Sequence, residues 1–178
     1  MDVLAEKSRD KIMDIGSQKM LQHVPHLRRY ARALIGDVEQ GDALTKTTME
    51  CAASLQKFMP KDISPSVWLF SVMHNLTTEF LNDIYDNVNS QSILPYMHAE
   101  DLNVDKEAPN FGIKGAMAHL TLQQKETLLL TTVEKLSYID VCQVMAFDQA
   151  ALINSLDSAR KTMCNFLFQD QFEDLQQA

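Results

Sequence analysis

The chain has 178 residues, 46% apolar and 22% charged, so it can bury a core and is not a disordered segment. Its formal net charge of −8 disfavours general adhesion to DNA, RNA or anionic lipid. That length makes one large or two small domains.

The charge is unevenly spread. Ten of the sixteen Lys and Arg lie within residues 1–61, and Arg28, Arg29 and Arg32 share one helix. No cation occurs from Asp62 to Asp105, while Glu79, Asp83 and Asp86 close a helix there. Cys51, Cys142 and Cys164 are far apart, odd in number and set among apolar helical neighbours. They read as buried, reduced thiols of a cytoplasmic protein. No secretory h-region opens the chain, and no apolar run approaches the roughly 20 residues of a membrane span.

In chain order, Val24, Leu27, Ala31 and Leu34 form a helical stripe closed by Gly36. Leu44, Thr48, Cys51, Leu55 and Phe58 form a second stripe, ended by Pro60. Pro65 opens a third helix, with Leu69, Val72, Met73, Leu76, Phe80 and Ile84 on its packing side. Residues 1–86 are thus expected to form a three-helix bundle. Residues 87–110 mix turn formers, two prolines and four acids and read as a linker. Residues 111–170 return to helical periodicity, and residues 171–178 are expected as a tail.

In this second domain a helix is predicted around Gln123 to Val133. Ser137 with Asp140 resembles a capping box opening a short helix through Met145. After a tight turn, Asp148 suits the N-cap of a longer helix with Leu152, Leu156, Ala159, Met163 and Leu167 as its stripe. Short helix, turn and longer helix spell a helix-turn-helix. The fold class expected is therefore all-α, with two small helical domains.

Chemistry is harder to find. His23 and His26 lie three apart with no Cys, Asp or Glu nearby at ligand spacing, so no metal is expected. No P-loop, nucleophile elbow or paired catalytic carboxylates appear, so no enzyme, cofactor or small-molecule substrate is expected. Trp68 and Phe70 read as core anchors, and the ten methionines as gap fillers.

Two stretches taken together resemble a family. "RRYARALIGDVEQGDALTKTTMECA" followed by "PSVWLFSVMHNLTTEFL" is similar to the core-binding domain of extracytoplasmic-function RNA polymerase sigma factors. The matching positions are Arg28, Arg32, Asp42, Leu44, Thr48, Trp68, Leu69, Phe70 and Asn75. "HLTLQQKETLLLTTVEKLSYIDVCQVMAF" resembles the family's promoter-reading domain, notably in "LSY" at Leu136 to Tyr138.

The departures fall on the nucleic-acid side. Active members carry an arginine beside the Asn and then several basic residues, where this chain has His74, Glu79, Asn82, Asp83 and Asp86. Their recognition helix often begins Gly-Thr-x-Lys-Ser-Arg, where this chain has Ala150, Ala151, Leu152, Ile153, Asn154 and Ser155, with Ser158 beyond. Only Gln149, Asn154, Arg160 and Lys161 remain as residual DNA-facing candidates, so DNA binding alone is expected to be weak or absent.

Within the family, "GDA" at Gly41 to Ala43 resembles the sigma-like domain of PhyR-type general stress regulators, which mimic a sigma factor to capture its anti-sigma factor. Such regulators continue into a receiver domain, and nothing after Phe168 reads as one. The resemblance implies a bacterial transcription regulator whose partner is an anti-sigma factor. Two alternatives stand beside it: an active, divergent sigma factor bound to core RNA polymerase, and a helical adaptor unrelated to transcription. Arg28, Arg29 and Arg32 read either as a solvated face or as a face for an acidic partner. The expected apolar anchors are Val72, Leu76, Phe80, Leu129 and Val133, with some of them in the core.

Overall fold

The computed structural model describes residues 19–86 and 112–176, with side chains for 19–79 and 112–168. The expected linker, residues 87–110, and the Phe80 and Ile84 side chains lie outside them. Every element named below is a helix, as the periodicity predicts.

Helix α1 (Val24–Ile35) has Pro25 in its first turn and ends at Gly36, whose φ of 80° is the left-handed cap that glycine adopts at little cost. Asp37 then caps α2 (Val38–Leu55), accepting from Gln40 N at 3.0 Å. A 3-10 turn at Gln56–Phe58 follows. Helix α3 (Pro65–Asp86) starts from Ser64, whose hydroxyl accepts from Val67 N.

In the second half, α4 (Gly112–Ala118) precedes α5 (Leu122–Thr132). The full capping box lies at α5, where Thr121 and Gln124 satisfy each other's backbone N–H groups. Helix α6 (Tyr138–Met145) is capped by Ser137, but Asp140 is too short to return the bond to the backbone and instead accepts from the Ser137 hydroxyl at 2.7 Å. Ala146 turns the chain in the left-handed region at φ 52°. Asp148 then caps α7 (Gln149–Gln176) through Ala151 N, and that helix runs past the expected end at residue 170.

The halves are docked rather than separate. Helix α3 packs on α6 and α1 on α5, in addition to α1 on α2 and α5 on α7. One apolar cluster runs from Leu27, Leu44, Phe70 and Met73 to Leu130, Val141, Leu152 and Leu156. Tyr30 and Phe70 meet edge to face within it, ring centroids 5.2 Å apart. Helix α3 is buried almost all round between Val67 and Met73, because it has partners on both sides.

The second stripe differs from its expectation. Leu55 and Phe58 are exposed, and α2 instead buries Gly41, Leu44, Thr45, Thr47, Thr48 and Ala52. Thr45 and Thr48 tolerate this because each hydroxyl donates to the carbonyl four residues back. The cysteines also differ: Cys51 and Cys142 are half-buried and Cys164 is exposed. Among the described residues no helix is long and apolar enough to cross a membrane.

Candidate functional site

Two carboxylates from the second half reach into the first. Glu126 lies on the apolar face of α5, four residues before Leu130, and is only 1% exposed. Nδ1 of His74 stands 3.0 Å from both its oxygens, and the Tyr30 hydroxyl donates to Oε1 at 3.3 Å. With Glu126 as the acceptor, the His74 tautomer that completes this contact carries its proton on Nδ1. Burial first, and the Glu126 carboxylate second, push the Tyr30 hydroxyl well above its ordinary pKa, so it stays a donor. Position 74 is where active sigma factors of the resembling family carry arginine. Here its ring is committed to closing the seam.

The second contact lies two residues past the end of α5. The Glu134 side chain, 1% exposed, accepts two bonds from the Arg29 guanidinium at 2.9 and 2.8 Å, and His26 Nδ1 stands 2.9 Å away. The carboxylate bond raises the Arg29 pKa. Such bidentate geometry is the strong form of the interaction.

The other arginines stay within the first half. Arg32 grips Asp42 with two bonds of 2.7 Å, and Arg28 adds a longer contact at 3.3 Å. The Arg32 bond chiefly holds the Asp42 carboxyl below its usual range. This pairing needs α1 and α2 to touch closely. A Cβ on Gly41 would come within 2.7 Å of the Arg32 backbone, which explains a glycine beside Asp42. The arginine face is therefore neither freely solvated nor one face: Arg29 turns to the seam and the other two to Asp42.

The apolar anchors need correction. Val72, Leu76 and Leu129 are at most 8% exposed and belong to the core cluster, because α3 and α5 each pack on several helices. Val133, 36% exposed at the end of α5, is at the surface. Of the residual DNA-facing residues, Gln149, Asn154, Arg160 and Lys161 are exposed, and Arg160 lies 3.8 Å from Asp157. Ser155 is not on that face. It is 7% exposed and bonded to the Thr127 hydroxyl at 3.0 Å, so the position matched with the family's arginine is interior in this chain.

Sequence reasoning missed Glu126, Glu134 and the groove on the helix-turn-helix. That groove, about 340 Å³, is lined by Tyr138, Ile139, Cys142, Gln143, Phe147 and Gln149. Ile139, 75% exposed, is the most exposed large apolar side chain among the described residues. Its signal was readable: Ile139 falls off the Val141, Val144 and Met145 face that the short helix buries.

Residues 20–74 match the family model described as the sigma2 domain of PhyR. The chain is similar to sigma factors and to sigma-like domains. It is 25% identical over 162 residues to the extracytoplasmic-function sigma factor EcfG of Rhodopseudomonas palustris, covering 87% of this chain and 86% of that protein. It is 24% identical over 147 residues to the phyllosphere-induced regulator PhyR of Methylorubrum extorquens, but spans only 48% of that protein's length. The fold matches the solved PhyRSL–NepR complex of Sphingomonas sp. Fr1 with a TM-score of 0.56, 25% identity and coverage of 83% and 86%. The resemblance to sigma factors, and within them to PhyR-type sigma-like domains, holds across both halves of the fold.

Proposed function

We propose that this sigma-like protein is a sigma mimic: it binds an anti-sigma factor through protein contacts in the cytoplasm and so frees a genuine sigma factor. Domains at 1–86 and 111–170 each contribute part of the binding surface. The observation that carries the reading is the loss of free cations on the nucleic-acid side. No Lys or Arg occurs from Leu136 to Ala159, through α6, the turn and the first eleven residues of α7, and His74 is bound to Glu126. Base edges and phosphates are gripped mainly by Arg and Lys, so the surface left suits a protein better than a promoter. The named complex of a PhyR domain with NepR supports the choice of partner class.

The test titrates NepR from Sphingomonas sp. Fr1, and separately a labelled promoter duplex with core RNA polymerase, against the full chain. Saturable NepR binding without promoter-specific retention is expected. Transcription from a defined promoter would overturn the mimic reading and favour the second one. That second reading, a divergent active sigma factor, draws on the similarity to EcfG over 86% of its length.

A further inference from the structure

The helix-turn-helix turns a groove outward where its resemblance would put DNA. Its floor is apolar: Ile139 is 75% and Tyr138 41% exposed, with Cys142 and Phe147 half-buried beside them. Val141, Val144 and Met145 already anchor the same helix in the core, so Ile139 and Tyr138 are not needed for packing. At about 340 Å³ and open along its length, the groove suits side chains projecting from a helix, not an enclosed small molecule.

The charge selects among helices. Asp148 stands in sequence between the groove residues Phe147 and Gln149, and Asp140 follows Ile139. Asp148 caps α7 with Oδ1, which leaves Oδ2 to accept a further bond. Asp157, further along, has Arg160 at 3.8 Å, but no Lys or Arg stands in sequence between Lys135 and Arg160 to offset Asp140 and Asp148. Phosphates would be repelled. A second copy of this chain, itself at −8, would bring acids against acids.

We infer that the groove between α6 and the start of α7 is the docking site for an amphipathic partner helix whose apolar face is edged by Lys or Arg. Its assignment to the anti-sigma factor rests on the function proposed above; its chemistry rests on the groove.

The experiment uses the full chain and two labelled synthetic helices with the same Leu/Phe face, one edged with Lys and one with Glu, read by fluorescence anisotropy. The Lys-edged peptide should bind about tenfold or more tighter than the Glu-edged one. Ile139→Glu should weaken it by about tenfold or more, since a central apolar anchor carries most of such an interface. Phe58→Glu, on the first half where that ring is 67% exposed, should leave it unchanged. Asp148→Asn keeps the helix cap, because Asn caps as well as Asp, and should weaken binding about threefold with a flatter salt dependence.

Equal binding of both peptides, or an Ile139→Glu variant of native circular dichroism that binds as before, overturns the inference. So does sedimentation showing that Ile139→Glu dissolves a dimer, which would make the occupant a second copy. The NepR titration separates the two claims. If NepR binds the parent and the Ile139→Glu variant alike, the groove assignment fails and the anti-sigma reading stands. If NepR does not bind while the Lys-edged peptide does, the groove stands and the anti-sigma reading fails.

Discussion

The two halves treat arginine in opposite ways. The first keeps its arginines and neutralises them: Arg28 and Arg32 on Asp42, Arg29 on Glu134. The helix-turn-helix omits them from Leu136 to Ala159, leaving Asp140, Asp148 and exposed apolar side chains there. Neutralisation by pairing keeps the positive charge available to hold structure, whereas omission opens the surface to a different class of partner. The first half ties its arginines to carboxylates; the second has changed what it can face.

The largest effect should come from breaking the seam. His74→Ala leaves the buried Glu126 side chain with Tyr30 alone and should cost about 3 kcal/mol, the upper end for a buried acceptor left short of a partner. Chemical denaturation followed by circular dichroism reads it, and a loss under 1 kcal/mol would mean that Glu126 finds water when its partner goes.

The next comparison sets two neighbouring arginines against each other. Arg29→Ala removes two charge-assisted bonds to a buried carboxylate and should cost about 2 kcal/mol, while Arg28→Ala loses one exposed 3.3 Å contact and should cost under about 1 kcal/mol. Equal losses would erase the distinction between seam and surface. Gly41→Ala should cost about 1–3 kcal/mol by forcing α1 from α2, with the Arg32–Asp42 pair loosened as well.

The smallest effect is a pH dependence. Arg32 holds the folded Asp42 carboxyl below its ordinary value, so the pair's contribution is complete above that ordinary carboxylate range. It fades as pH falls through the depressed folded value. Asp42→Asn should remove this acid-limb slope from the stability profile while leaving the neutral-pH fold intact.

Helix positions were largely legible because caps are local: Gly36, Ser137 and Asp148 each announce a boundary within a few residues. Which face of a helix is buried was less so. Periodicity reports that a helix has an apolar side, but not that α3 has partners on two sides, so Val72 and Leu76 looked available when they were core. Likewise Ser155 is only one position from exposed Asn154, yet that rotation carries it into the interior beside Thr127. Glu126 could have been suspected, being an acid in phase with Leu129 and Leu130. Its partners, 52 and 96 residues away, are set by tertiary docking alone.

The apolar cluster shared by the halves bears on how the molecule comes apart. Cutting between residues 86 and 112 would strip α3 of α6 and α1 of α5, leaving each fragment with a solvent-facing oily side and Tyr30 or Glu126 without its mate. The halves should therefore melt together, in one calorimetric transition whose heat equals the van't Hoff value. A ligand seated on the helix-turn-helix would then raise the melting temperature of the arginine-bearing bundle it never touches.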